Sequence, residues 1–258
     1  MFGVRSFRSY AELIEESEAV DFAVPPAAQA PLAAEAAAAG RALLLEKPLA
    51  ASLNDAIELT TVINASGVAN IVNLTKRYHQ RTREFLARVG ELPNGVRALT
   101  GRYVHGGFLE TGFLDPAARD GWRTTLGALF DLGPHILDLA DAVAGAVSSI
   151  SVAGDLGELV SLTTIHDGGA IGQFLLSGRV ATEDVLTDID VYANEAHVAY
   201  TTRGLEPSEA VMTFRSEFVA AVRLGTAVTV DAHRALALQR VLHASLRSYE
   251  AGHAVQVE

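Results

Sequence analysis

Apolar and polar positions divide the chain into two regimes. Over the first 75 residues, short apolar runs alternate with helical stretches. Residues 9–18 place Glu12 three positions after Ser9, the arrangement of a capped helix start. Ala19 to Val24 is a largely apolar run halted by Pro25-Pro26, and residues 27–39 are nearly all alanine and end at Gly40, a helix with a glycine stop. Ala42-Leu43-Leu44-Leu45 reads as a buried strand. Ser52 to Ser66 reads as a helix capped by Ser52, with Asp55 in its first turn and Gly67 closing it, and Ala69 to Leu74 as a third strand. Strands this continuously apolar, separated by helices, predict a parallel sheet covered on both faces.

The pattern changes after about residue 90. Pro93-Asn94-Gly95 makes a turn, and Val96 to His105 alternates as a half-buried strand. A looser, glycine-rich stretch runs to Thr125, and a helix is predicted from near Gly133-Pro134 to about Val143. Five or so strand-like segments fill Ser148 to Tyr200, separated by Gly168-Gly169, Gly178 and Asn194-Glu195. Two helices, roughly 214–224 and 231–249, close the chain. The fold class predicted is α/β plus α+β, a piece of a doubly wound parallel sheet followed by a mostly antiparallel open-sheet domain.

Composition narrows the function. The 258 residues include no cysteine, which removes disulfides, zinc–thiolate sites and thiol nucleophiles. A net charge of −11 argues against a nucleic-acid partner. The most apolar stretch, Val20 to Leu45, is broken by Asp21, three prolines, Glu35 and Arg41, so neither a leader nor a membrane span is predicted. A soluble, cytoplasmic protein is expected. The histidines other than His135 show no metal-ligand spacing, and no metal is expected.

Two motifs carry candidate chemistry. Glu46-Lys47-Pro48 directly follows a buried strand, and ligands of open α/β sheets lie beyond the carboxyl ends of their strands, so Lys47 is aimed at a binding crevice. Taken alone, it is equally a surface lysine in a strand–helix turn. In Asp131-Leu132-Gly133-Pro134-His135-Ile136-Leu137-Asp138, a helix starting near Gly133 puts His135 and Asp138 on one face, with Asp131 just ahead of the first turn. A carboxylate beside an imidazole fixes its tautomer and raises its basicity, as general acid–base work requires. Asp131 as an N-cap and His135 as a core histidine are the structural alternatives. Lys76, Arg77 and Arg81 form a basic cluster after the third strand, read as a solvated face or as a site for an anionic group. Phe108 and Phe113 are placed in a loop bordering a substrate pocket.

In order and spacing, the two motifs resemble the Gfo/Idh/MocA oxidoreductase family. Its E-K-P motif is matched by Glu46, Lys47 and Pro48, and its D-x-G-x-H-x-x-D motif by Asp131, Gly133, His135 and Asp138; Gly121-Trp122-Arg123 is similar to the family's tryptophan–arginine stretch. The closing segment, from Ser216-Glu217-Phe218 to Val255, also follows the family, so the resemblance covers nearly the whole chain. It implies a partial Rossmann-like dinucleotide-binding domain over residues 1–75 and an α+β substrate and oligomerisation domain over 76–258. It further implies NAD or NADP as cofactor, with Pro25, Glu46, Lys47 and Pro48 in contact with it. By the same resemblance Lys47, Asp131 and His135 are catalytic: Lys47 orients the reacting hydroxyl, His135 exchanges its proton, and Asp131 tunes the site. Trp122 and Arg123 face the substrate, a sugar, cyclitol or related polyol. A homo-oligomer formed through the C-terminal sheet is implied too.

One family element is missing. The pyrophosphate of a dinucleotide needs exposed backbone N–H groups at a glycine-rich turn opening a helix. Among 22 glycines no pair is separated by a single residue, so no G-x-G occurs. The chain aligns best from a point after the family's second strand, and is expected to be N-terminally shortened with cofactor binding impaired or lost. Val24 and Gln29 stand where the family commonly has threonine and histidine. Cofactor-free elimination or epimerisation at His135, or a non-catalytic partner subunit, are the alternatives. The strand at 20–24 is left with an open edge, expected to be covered by residues 1–8 or by another chain.

Overall fold

A computed structural model describes residues 5–116 and 121–258. The chain divides into two compact units, one comprising the chain up to Asn73 together with Phe214–Leu236, the other Leu74–Thr213 with Ala237–Glu258.

In the first unit the elements follow the apolar pattern closely. Helix α1 (Tyr10–Glu16) opens on Ser9, whose hydroxyl accepts the Glu12 N–H at 3.2 Å. Strands β1 (Ala19–Asp21), β2 (Ala42–Leu45) and β3 (Asn70–Val72) form a parallel sheet in that order, joined by α2 (Pro26–Ala38) and α3 (Leu53–Ser66). Leu43, Leu45, Ile71 and Val72 are wholly buried, as strands covered on both faces require. Ala33, Ala36 and Ala37 are fully buried on α2 where it packs on α3, and their small side chains allow that approach. Ser52 caps α3 through the Asp55 N–H, and Gly67 ends it in the left-handed conformation. Beyond β3 the Val72 N–H is bonded to the Val230 carbonyl at 2.9 Å. β1 is an edge strand: among the described residues no other strand pairs with it on its outer side, and residues 5–8 add no strand there.

The second unit is built on a seven-stranded sheet. Its strands are β4 (Ala98–Val104), β5 (Val147–Asp155), β6 (Leu159–His166), β7 (Ile171–Ser177), β8 (Leu186–Tyr192), β9 (His197–Thr201) and β10 (Val255–Gln256). They are arranged β10-β5-β6-β7-β4-β8-β9, and all pairs are antiparallel except β4 with β7. Burial alternates along β6 and along β7 as far as Leu176. Leu162, Phe174, Leu176, Ile189 and Val191 point into the core, whereas Leu159, Ile165, Ile171, Leu175 and Tyr192 remain exposed.

Three helical features depart from the sequence expectation. Helix α4 (Gln80–Gly90) was hidden in a charged segment whose apolar positions, Phe85 and Val89, are four apart. The stretch expected to be loose becomes helical at α5 (Trp122–Leu126), passes through a π-helical turn at Gly127–Leu132 and continues as α6 (Gly133–Ala144). Asp131 therefore lies within a helical run rather than ahead of one. The closing helices are longer than expected, α7 spanning Pro207–Leu224 and α8 spanning Ala232–Ala251. A short 3₁₀ turn, Thr75–Tyr78, opens the second unit.

Candidate active site

In the first unit, Pro25 and the Glu46-Lys47-Pro48 segment follow the carboxyl ends of β1 and β2. Pro26 takes the first helical position of α2, where its missing N–H costs nothing, and the Pro25 carbonyl accepts from the Ala28 and Gln29 N–H groups. Pro25 itself is exposed, Lys47 is half-buried and Pro48 is buried behind a cis Lys47–Pro48 peptide.

Gln29, fully buried, fixes this segment. Its Nε2 donates to the carbonyls of Glu46 (2.8 Å), Leu49 (3.0 Å) and Pro48 (3.4 Å), and its Oε1 accepts the Glu46 N–H at 2.8 Å. Read from sequence, Gln29 was only a departure from a family pattern. In the fold its side chain satisfies main-chain groups of a turn that no strand or helix could serve. Asn73 Nδ2 donates to Glu46 Oε1 at 2.6 Å. Burial raises the Glu46 carboxyl above the ordinary carboxylate range, partly offset by the Asn73 bond and the nearby Lys47 charge.

In the second unit, the run from α5 to α6 carries Trp122, Arg123, Asp131, His135 and Asp138. The π-helical turn inserts one extra residue per turn, a feature frequent at functional sites, and it buries Asp131 to 8% exposure. Gly127 opens this turn under the Phe108 ring, where a Cβ would come within 2.8 Å of Cε2. Arg123 Nε lies 3.2 Å from Asp131 Oδ2 and its Nη2 3.4 Å from Oδ1, while its guanidinium stacks 4.4 Å from the Trp122 ring. His135 is 6% exposed.

Strand β4 brings Tyr103 to the same helices. Its ring meets that of His135 edge-on at 5.9 Å and that of His105 at 5.4 Å. Burial, reinforced by the Asp131 carboxylate, pushes the Tyr103 hydroxyl well above the ordinary phenol range, so it stays protonated. His105 Nδ1 accepts the Gly107 N–H at 2.9 Å, which assigns the proton of the neutral ring to Nε2. Phe108 is buried against His105, and Phe113, 66% exposed, also lies 5.4 Å from it.

The basic cluster read as a solvated face is not one. Lys76 is 8% exposed, with Nζ 3.8 Å from the Tyr103 ring centroid. Arg77 Nη1 bonds both oxygens of the nearly inaccessible Asp138, at 3.0 and 3.1 Å. Only Arg81 stays at the surface, donating to the Thr201 and Arg203 carbonyls. Lys76, Tyr103 and His105 thus join Trp122, Arg123, Asp131 and His135 within one unit. Tyr103 was legible as an inward position of an alternating strand; the burial of Lys76 was not. Among the described residues no group of three or more acidic or imidazole side chains could hold a metal ion.

Comparison with known proteins agrees with this architecture. The family described as "Oxidoreductase family, NAD-binding Rossmann fold" (Gfo/Idh/MocA) matches residues 1–74. The uncharacterized oxidoreductase ORF334 of Rhizobium meliloti is 25% identical over 290 aligned residues, covering 97% of this chain and 84% of that protein. The crystal structure of GenD2 from gentamicin A biosynthesis in complex with NAD superposes with a TM-score of 0.87 at 22% identity, over 100% of this chain and 84% of that one. Scyllo-inositol dehydrogenase from Lactobacillus casei, with bound NAD(H) and scyllo-inositol, gives 0.81 at 14% identity, over 97% and 84%. These two structures share the fold of this chain. Over residues 1–74 the chain is similar to the Gfo/Idh/MocA oxidoreductase family.

Proposed function

We propose that this chain is a nicotinamide-dependent oxidoreductase acting on a CH–OH group of a sugar, cyclitol or related polyol, and that these 258 residues hold their cofactor weakly. The observation that carries the reading is the buried His135 packed on Tyr103 beside the Asp131–Arg123 pair, in a chain whose first 74 residues match the Gfo/Idh/MocA family. A neutral imidazole in such a setting is suited to take the proton of a reacting hydroxyl and return it. The Asp131 carboxylate, bonded by Arg123, favours the imidazolium that forms. Trp122 and Arg123 face the substrate.

The residues present fit one end of a dinucleotide. Pro25 and Glu46-Lys47-Pro48 lie beyond the carboxyl ends of parallel strands, where such cofactors rest, and Gln29 holds their main chain in place. They offer no G-x-G turn for the pyrophosphate. When bound, the nicotinamide supplies the acceptor or donor of hydride. NAD(H) in complexes of the same fold, with GenD2 and with the inositol dehydrogenase, supports NAD as the cofactor. The exposed sheet face bearing Leu159, Ile165, Ile171 and Leu175 supports association with a second copy of the chain.

Calorimetric titration with NADH and NADPH tests the cofactor reading. Saturable binding at roughly 0.1–1 mM, about −4 to −5.5 kcal/mol, is expected. No binding at millimolar cofactor refutes it, and leaves cofactor-free acid–base chemistry at His135 or a partner-subunit role.

A further inference from the structure

The loop that follows β4 holds an apolar ring out in solvent. Phe113 is 66% exposed, yet its ring rests on a support. It packs at 5.4 Å on the His105 ring and lies over Gly107, where a Cβ would come within 2.8 Å of Cζ. Gly112 lets the chain fold back on itself, since a Cβ there would collide with the Gly106 carbonyl oxygen. The Gly112 N–H donates to the Leu109 carbonyl at 2.9 Å, the Leu109 N–H to that of Gly106 at 3.1 Å, and the Phe108 N–H to that of Gly178 at 2.8 Å. The Phe108 ring, 3% exposed, pins the loop against Gly127 and Gly178. A single exposed apolar side chain is ordinary. One held in place by its own loop is pre-organised, so a ligand that packs on it bears little ordering cost.

The rings form a continuous series from the candidate acid–base outward. His135 meets Tyr103 at 5.9 Å, Tyr103 meets His105 at 5.4 Å, and His105 meets Phe113. His135 and His105 are buried, and only the last ring of the series is open to solvent. Phe113 carries no polar atom, so it recognises a flat apolar face, either the C–H face of a sugar ring or an aromatic group. Two rings stand between it and His135, so a single polyol reacting at the imidazole occupies the inner end of the series. A group attached to that polyol reaches the outer end.

We propose that Phe113 is a specificity-determining binding residue that stacks on a ring carried beyond the reacting sugar, so that the molecule reacting at His135 is a glycoside. This rests on the reading of the His135 site as that of a polyol oxidoreductase. A hydroxyl of the inner sugar meets the imidazole, and the ring linked to that sugar lies on Phe113.

Binding measured apart from turnover separates the two readings. The 258-residue chain, Phe113→Ala and Phe113→Trp are titrated by calorimetry with the methyl and phenyl β-D-glucosides and β-D-galactosides, and with cellobiose and lactose. The parent is expected to bind at least one phenyl glycoside or disaccharide about tenfold or more tightly than the methyl glycoside of the same sugar. That ratio should fall to near one in Phe113→Ala and survive in Phe113→Trp, with the Tm of both variants close to that of the parent because the ring is exposed. A preference confined to the phenyl glycosides supports the proposal with an aromatic outer ring, and one confined to the disaccharides supports it with a sugar. Equal affinity for methyl glycosides and their larger counterparts in the parent, no binding of any of them, or a ratio unchanged in Phe113→Ala overturns the proposal. Phe113-dependent glycoside binding without nicotinamide reduction sustains it while refuting the oxidoreductase reading. Nicotinamide-linked turnover of free polyols with no glycoside preference does the reverse.

Discussion

Replacing Gln29 by leucine keeps the side chain's approximate volume and removes the hydrogen bonds by which Gln29 holds the main chain around Glu46-Lys47-Pro48. Four contacts are lost, of which those at 2.8, 2.8 and 3.0 Å have good lengths and the one at 3.4 Å is long. The side chain is wholly buried, so the Glu46 N–H and the carbonyls of Glu46 and Leu49 cannot all turn to water. Three net bonds at about 0.5–1.5 kcal/mol each, with the penalty for groups left unsatisfied, give about 2–4 kcal/mol. For a chain of this size that corresponds to a Tm lower by roughly 4–16 °C. Urea unfolding measures the loss, and hydrogen exchange at the Glu46 amide localises it, since its acceptor in the parent is Gln29 Oε1. A change below about 0.5 kcal/mol, or unaltered protection of that amide, refutes the assignment of Gln29 as the clamp of this turn.

Three further outcomes follow from other contacts. Arg77→Met removes the guanidinium paired with the Asp138 carboxylate at 1% exposure and should cost about 3–5 kcal/mol; Arg77→Met with Asp138→Leu should recover most of it in denaturant unfolding. Burial raises the Glu46 carboxyl, so the folded state favours its protonated form, and the associated stability is present below the unfolded-state pKa and lost as pH rises through the raised one. Glu46→Gln should therefore be more stable than the parent at neutral pH, with the gain vanishing in acid; a pH-independent difference contradicts this. In Gly157→Ala the new Cβ would fall 2.1 Å from the Thr124 carbonyl oxygen, main chain against main chain, costing about 1–3 kcal/mol. Gly168→Ala, with nothing within 4 Å, should stay within about 0.5 kcal/mol of the parent.

Local chemistry explains which parts of the fold were legible in the sequence. Ser9, Ser52 and Gly67 mark helix ends through bonds to residues a few positions away, so their signals are local and were readable. The parallel strands showed as short apolar runs, and the open sheet as period-two alternation. The burial of Arg77 depends on Asp138, 61 residues distant, and that of Lys76 on a ring from β4. A charged segment is ordinarily solvated, so nothing nearby in sequence opposed that reading. The π-helical turn was equally hidden, because it answers to packing of Gly127 under Phe108, which lies in a loop nineteen positions earlier. Asp131 and His135 stood out in the sequence by motif, but their packing with Arg123 and Tyr103 is visible only in the fold.

Oxidation of a polyol and sugar panel by the 258-residue chain with NAD⁺ at ~millimolar concentration, followed as formation of reduced nicotinamide, tests the proposed chemistry most directly. Turnover that requires high cofactor and falls about 10²–10⁴-fold in kcat in His135→Asn is the predicted result. No reduced nicotinamide with any substrate, or His135→Asn turning over as fast as the parent, contradicts it.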